Sequence, residues 1–435
     1  MKLGVVSLGC DKATVDSERL VADLVGHGAE LAAAIDDADV VLVNTCGFVD
    51  AATRESVDAL LRAARARKQG RCRAVVAVGC LVTLRRAELE REIPEIDHYY
   101  GFADLPRLVP DLVREGLLAE PPVPDGARVY FGTRPHVRHL KISEGCDHGC
   151  AFCSIPLMRG PHRSLPLDGV VREAQLLEAQ GAREINLVAQ DLGHYGRDVP
   201  GGPLLPDLLR ALLSETGVPW YRMLYVYPAG VTFDVVELLA TEPRLLPYID
   251  MPIQHASDRV LEAMRRPERR RTVRAKVRRL REAVRGMAIR TTALVGFPGE
   301  TDRDFRELVE FVDEMRFDSL GAFAFSRQEG TAAALLPDDV PECVKQDRVS
   351  ELLEVQRCVS AELLAEAVGT EVEVLVDGPA DEGSPAPVAG RTARQADEVD
   401  GCTYLRAEAP PRPGALVRAR VVEALDYDLV AEVLS

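Results

Sequence analysis

One feature limits what this chain can fold into more than any other: a repeated switch between short apolar runs and helical patterns, sustained over most of its 435 residues. Leu3 to Leu8, Ala38 to Val43 and Ala74 to Val78 read as strands, and segments 16–25, 50–67 and 83–92 read as helices. Such alternation makes a parallel, doubly wound sheet. A stretch holding Pro121, Pro122, Pro124 and Gly126 reads as a linker. The alternation then resumes, with strands expected at 139–145, 184–190, 220–227, 248–254, 289–295 and 318–325. Helices are expected at 167–180, 204–214, 232–241, 258–264, 272–285 and 302–315. Six such units suggest a partial barrel, short of the eight in a closed one. A helix over 342–367 ends this region. Beyond Thr370 the period changes to strand alternation, at 371–376, 403–405 and 416–422, with Pro- and Gly-rich loops between, as in a small antiparallel β-barrel. The expected organisation is therefore an α/β domain over 1–117, a linker over 118–130, a barrel domain with its closing helix over 131–367 and a β-barrel over 368–435.

The cysteines mark where chemistry belongs. Cys146, Cys150 and Cys153 form a C-x3-C-x2-C motif directly after the first strand of the partial barrel, and barrel chemistry sits at the C-terminal ends of strands. Three thiolates in eight residues suit zinc or an iron–sulfur centre. A closed zinc site or a fully ligated cubane takes four protein ligands, so three leave a position open. Cys10, Cys46 and Cys80 fall at the ends of the three strands of the first domain. Open parallel sheets bind ligands there, and strands about 4.8 Å apart bring such side chains together. The alternative for each is a small apolar residue at a strand end. Cys72, at a helix–strand connection, and Cys343 and Cys358, in the closing helix, read as structural.

Composition narrows the context. The net charge of −16 argues against wide nonspecific binding to DNA or other nucleic acid, which needs a basic footprint. No run of about 18 apolar residues exists to span a membrane. The N-terminus reads as a strand and not a signal peptide, so a cytoplasmic location with reduced cysteines is expected. The segment Arg265 to Arg285 is basic, either as a solvated helix face or as a phosphate or ribosomal contact.

The Cys146–Cys153 motif resembles that of the radical SAM superfamily. That resemblance implies a [4Fe-4S] cluster on the three cysteines, S-adenosyl-L-methionine on the remaining iron, and Phe152 near the cofactor. The whole chain resembles the methylthiotransferases, which imply a flavodoxin-like first domain, a second [4Fe-4S] cluster on Cys10, Cys46 and Cys80, and a TRAM domain at the end. Ser7-Leu8-Gly9-Cys10-Asp11-Lys12, Lys141 to His148, Tyr225-Val226-Tyr227-Pro228 and Gly390-Arg391-Thr392 are similar to the branch that modifies an aspartate of a small-subunit ribosomal protein, the twelfth of its series. Ala13 departs from it, standing where asparagine is usual. The other branch modifies an adenosine of transfer RNA, which calls for a basic tail. Here residues 368–435 carry thirteen acidic side chains against six arginines, suited to a basic ribosomal protein. The resemblance implies sulfur insertion at a C–H bond, started by a 5′-deoxyadenosyl radical, with an electron donor and a sulfur source as further partners. An iron–sulfur electron-transfer protein is the third reading. Gln190 and Gln254 end barrel strands and are expected at the cofactor, as are Gly296 and Glu300 in the turn after Val295, which could equally be an ordinary βα loop. His255 reads as either a functional or a satisfied structural histidine.

Overall fold

The computed structural model describes residues 1–119 and 128–434. The linker prolines at 121, 122 and 124 and Gly126 lie outside the described residues.

In the first domain β1 (Lys2–Ser7), α1 (Asp11–Gly26), β2 (Glu30–Leu31), β3 (Val40–Thr45), α2 (Asp50–Gln69), β4 (Ala74–Gly79), α3 (Cys80–Glu92), β5 (His98–Tyr100) and α4 (Leu105–Arg114) follow one another. The sheet is parallel with order β2-β1-β3-β4-β5. That is the flavodoxin-like order, whose switch point lies between β1 and β3. Every residue of β3 and β4 is buried, because helices cover both faces of the sheet. The three expected strands and helices are present. β2 and β5 were not legible: each is too short to show a period and is held by its neighbour's backbone. α4 was hidden by Pro106 and Pro110.

The second domain carries β6 (Val137–Lys141), β7 (Ser143–Glu144), α5 (Ile155–Arg159), β8 (Arg163–Ser164), α6 (Leu167–Ala179), β9 (Glu184–Val188), α7 (Leu205–Glu215), β10 (Trp220–Met223), α8 (Phe233–Thr241), β11 (Leu245–Asp250), α9 (Asp258–Ala263), α10 (Arg270–Ala283), β12 (Ala288–Val295), α11 (Asp302–Met315), β13 (Ser319–Ala324) and α12 (Glu342–Ala365). Six strands run parallel in chain order from β6 through β9 to β13, with both edges open. The expected strand at 139–145 is interrupted: β7 leaves the sheet and pairs antiparallel with β8. Strand 220–227 ends at Met223, and Tyr225 beyond it has φ of 62°. In α10, Val273, Val277 and Leu280 are buried, as the apolar stripe requires. Several of its arginines have internal work, including Arg274 on Glu314 and Arg279 over the Phe233 ring at 5.0 Å.

The tail forms a closed barrel of β14 (Glu371–Pro379), β15 (Val388–Thr392), β16 (Thr403–Arg406), β17 (Leu416–Ala424) and β18 (Leu429–Val433), ordered β14-β15-β16-β18-β17. Val374, Val376, Val388, Leu405, Val421 and Leu429 fill it. It docks on the N-terminal end of the six-stranded sheet through Arg391, whose guanidinium lies 2.6 Å from Glu184 and 2.8 Å from Asp377. No helix among the described residues is long and apolar enough to cross a membrane.

Candidate active site

Three loops at the C-terminal end of the first sheet carry Cys10, Cys46 and Cys80. Cys10 precedes α1, Cys46 follows β3, and Cys80 is the first residue of α3. Two glycines let these loops close on each other. Gly9 has φ of 106°, and a Cβ there would stand 3.4 Å from Cys46 Sγ. Gly79 has φ of 103°, and a Cβ there would stand 2.3 Å from Asn44 Oδ1. Neither position suits an L side chain. The Ser56 hydroxyl holds Cys46 in place, accepting from its N–H at 2.9 Å and donating to its carbonyl at 2.8 Å. Cys10 is exposed, Cys46 half-buried and Cys80 buried. Burial pushes the Cys80 thiol up to about 11; proximity to Cys46 and Cys10 adds to this, and Arg159 opposes it. Cys72 is buried in the domain core with its thiol 3.3 Å from the Ala74 carbonyl, a structural residue.

The second trio sits on a loop clamped at its base by β7 and β8. Gly145 has φ of 75°, and a Cβ there would stand 2.1 Å from the Pro161 carbonyl. Inside the loop the Cys146 N–H donates to the Gly160 carbonyl at 3.1 Å and the Ala151 N–H to the Met264 carbonyl at 2.9 Å. Burial raises Cys146 to about 11 and Cys153 to about 12, and their neighbouring cysteines raise both further. Thiols this buried stay protonated at neutral pH, so a metal must displace their protons to bind. The Tyr227 hydroxyl lies 2.9 Å from Cys150 Sγ. Its ring is stacked on His148 at 3.9 Å, and the Arg266 guanidinium lies over it, 3.9 Å from the ring centroid. Arg266 Nη1 is 3.9 Å from the same sulfur, and His148 Nε2 is 2.8 Å from Asp191.

Gly145→Ala is expected to destabilise the protein by about 2 kcal/mol or more, from left-handed strain together with backbone overlap. Because the clash falls next to Cys146, iron retained after anaerobic reconstitution should fall with it. Melting by circular dichroism and iron analysis check the pair.

Donor chemistry and spacing test what these trios can hold. A single zinc ion at about 2.3 Å from each sulfur draws its ligands within about 4 Å of one another. Among the described residues, only His148, Asp191 and His194 bring three metal-ligating atoms within 4.8 Å of one another. Among the described residues the sulfurs of neither cysteine trio converge that tightly, and three thiolates per set are the donors that an iron–sulfur cluster takes.

Between the trios lies a buried ionic group. Lys141 pairs with Asp16 and, at 2.7 Å, with Glu144; Arg159 Nη1 lies 2.8 Å from Asp16 and 3.0 Å from Glu144. Arg159 Nη2 is 3.7 Å from Cys80 Sγ. Nearby, Lys12 lies 3.2 Å from the centroid of the Tyr225 ring, whose hydroxyl is 3.3 Å from Asp11. The two sets of strand ends therefore face each other across one interface.

Comparison with known proteins agrees with this architecture. Residues 2–101 match the Uncharacterized protein family UPF0004, residues 140–312 the Radical SAM superfamily and residues 368–434 the TRAM domain. The Ribosomal protein uS12 methylthiotransferase RimO of Desulforudis audaxviator is 45% identical, covering 100% of this chain and 97% of the relative. The RimO protein of Geobacter sulfurreducens is 41% identical, covering 100% and 99%. The chain belongs to the RimO family. It is a radical SAM methylthiotransferase, and superfamily membership implies S-adenosylmethionine and a [4Fe-4S] cluster as cofactors. Among solved structures, the radical S-adenosylmethionine methyltransferase TsrM from Kitasatospora setae is 17% identical with a TM-score of 0.56, covering 89% of this chain and 79% of that one. The Cobalamin-dependent S-adenosylmethionine radical enzyme OxsB is 11% identical with a TM-score of 0.51, covering 82% and 56%. At those identities the likeness concerns the fold.

The expected cofactor contacts in this RimO-family chain separate into two groups. Phe152 is half-buried against Val260, Met264 and Phe297, beside the cysteine loop. Gln190 donates to Glu144 at 3.3 Å, which places it at the interface between the trios. Gln254 has φ of 67° and joins β12 through its backbone, with its N–H on the Thr292 carbonyl at 2.8 Å. The Glu300 side chain is fully buried, with Oε1 3.0 Å from Arg348 of α12 and Oε2 accepting from the Phe297 N–H at 3.2 Å. Burial pushes this carboxyl up to about 7, against the pull of Arg348. Gly296 belongs to the same contact, since a Cβ there would stand 2.3 Å from Lys345 Cγ. Glycine lets the closing helix approach. His255 has Nδ1 accepting from the Ser257 N–H at 2.9 Å, while Nε2 is buried without a hydrogen-bond partner 3.7 Å from Glu300, and burial pushes its pKa down to about 3. Sequence reasoning missed Tyr227, Arg266 and Arg159 as neighbours of the cysteines. Tyr227 had a signal, its place after a barrel strand; the two arginines had none that set them apart from the others.

Proposed function

We propose that this protein inserts a methylthio group at the β-carbon of an aspartate in ribosomal protein uS12, with Cys146, Cys150 and Cys153 holding one [4Fe-4S] cluster and Cys10, Cys46 and Cys80 a second. The observation that carries the reading is the placing of two cysteine trios, each at the C-terminal ends of a parallel sheet, on either side of one buried ionic group. When bound, such a cluster with an open iron supplies the reductive cleavage of S-adenosylmethionine that removes hydrogen from an unactivated carbon. The chain's own residues do the rest. Three cysteines per site leave an iron free for a non-protein ligand. Tyr227 and Arg266 set a hydrogen-bond donor and a positive charge beside the Cys150 sulfur, and such neighbours tune a cluster's potential. Phe152, Gln190 and Gln254 are the side chains offered to the cofactor, Phe152 beside the cysteine loop and Gln190 on Glu144, in a chain whose domains divide at 1–117, 131–367 and 368–435. The acidic tail fits a basic ribosomal partner better than transfer RNA. An electron donor and a sulfur source complete the partners, in the reducing cytoplasm.

The test compares the mass of uS12 from cells with and without this protein. Gain of one methylthio group on an aspartate is the expected result. An unchanged uS12 with altered transfer RNA selects the adenosine-modifying alternative, and absence of 5′-deoxyadenosine under reducing conditions selects plain electron transfer.

A further inference from the structure

Arg159 is an unusual residue to find beside Cys80. It ends α5, six residues beyond Cys153, and so belongs to the loop that carries the other trio. Its side chain is 2% exposed and its guanidinium is fully committed. Nη1 serves Asp16 at 2.8 Å and Glu144 at 3.0 Å; Nη2 points to Cys80 Sγ at 3.7 Å; the flat face lies 4.4 Å from the Phe102 ring centroid. Asp16 lies on α1, directly behind Cys10, and Glu144 directly precedes the Gly145-Cys146 turn. Lys141 holds both carboxylates from the other side.

The charges of this buried group cancel: Lys141 and Arg159 against Asp16 and Glu144. Every charge has a partner, as burial demands. The Nη2 donor is left over, aimed at sulfur. Donors and cations beside a ligating thiolate stabilise the thiolate and the cluster it holds. A lysine could hold the two carboxylates, as Lys141 does, but a single ammonium lacks the second, divergent donor that the guanidinium aims at the sulfur.

We infer that Arg159 is a positioning residue for the first-domain cluster, supplied in trans by the radical-motif loop, so that retention of iron on Cys10, Cys46 and Cys80 depends on the seating of the barrel domain against the first domain. The inference rests on Cys80 being a cluster ligand. It gives the interface a second duty: a first domain displaced from the barrel loses the donor on Cys80 and holds its cluster less well.

The experiment uses the full-length chain in two backgrounds. Cys146, Cys150 and Cys153→Ala leaves only the first-domain site; Cys10, Cys46 and Cys80→Ala leaves only the other. Arg159→Gln and Arg159→Lys are introduced into each, the proteins are reconstituted anaerobically, and iron loss to a chelator is followed beside melting by circular dichroism. The expected result is iron loss about tenfold faster for both variants in the first background, in the range of second-shell effects on metal sites, and unchanged loss in the second. Arg159→Lys should melt with its parent, so that faster loss there cannot come from unfolding. Equal loss rates with and without Arg159, equal acceleration in both backgrounds, or acceleration only in variants that melt early would overturn the inference and leave Arg159 as a structural ion-pair residue. A first background that takes up no iron even with Arg159 in place would instead sink the assignment of the second cluster.

Discussion

Replacing Cys146, Cys150 and Cys153 together by alanine is expected to lower the iron of the anaerobically reconstituted protein from about eight to about four atoms per chain. Replacing Cys10, Cys46 and Cys80 should remove the other four. The two losses differ in consequence: the first should abolish 5′-deoxyadenosine formation, and the second should leave it while abolishing the methylthio product. The effect is all-or-none because a cluster on three thiolates has no spare protein ligand. Stoichiometric zinc in place of iron would sink the radical reading altogether. Four irons in the unaltered protein, lost only with the Cys146 trio, would sink the second cluster alone.

The largest effect on stability is expected away from the chemistry, for Arg391→Leu. Arg391 stands between Glu184 and Asp377, and Glu184 also accepts from Arg222 at 2.8 Å. Glu184 and Arg222 have no exposed surface. Removing the arginine takes away the cation that the two buried carboxylates share, leaving Glu184 on Arg222 and Asp377 on His136, at a cost of about 3–5 kcal/mol for breaking a buried pair from one side. The β-barrel should then come loose before the barrel domain unfolds, so the readout is early hydrogen exchange in β14 and β15 together with a lowered first melting transition. Unchanged exchange there would show the interface to be held by apolar contact instead. The same contact carries a pH dependence. Burial pushes the Asp377 carboxyl up, but hydrogen bonds from His136 and Arg391 outweigh this and hold it at about 2. Its folded value lies below the ordinary 3.8, so the stabilisation is full above pH 4 and is lost as pH falls from about 4 to about 2.

Much of this molecule is legible without its structure, for local reasons. β3 and β4 are continuous apolar runs because both faces of a parallel sheet are covered, and six βα units announce themselves by the change between periods of two and 3.6. The C-x3-C-x2-C loop is equally local: Gly145 turns the chain and three thiols follow within eight residues. The positions of Cys10, Cys46 and Cys80 at strand ends were readable too. Their meeting was expected from the spacing of neighbouring strands, but which strands are neighbours, β1 beside β3 and β3 beside β4, came only with the sheet order. β15 and β18 escaped notice because Gly390, Arg391 and Glu432 blur their alternation, and only closure of the barrel supplies their partners. The contact of Glu300 with Arg348 was not legible, because a polar residue after a barrel strand has the same sequence environment whether it faces a ligand or the closing helix.

The division has one physical cause. Periodicity and turn glycines act over a few residues, so the two sheets, the small barrel and the positions of the six cysteines are local properties of the chain. Tyr227 meets Cys150 across 77 positions and Arg159 meets Cys80 across 79. A guanidinium or a phenol carries no mark of the sulfur it will face until burial of the domain interface strips its water and leaves that sulfur among its few partners. That the loop carrying Cys146, Cys150 and Cys153 also sets a donor beside Cys80 follows only from the packing of the domains.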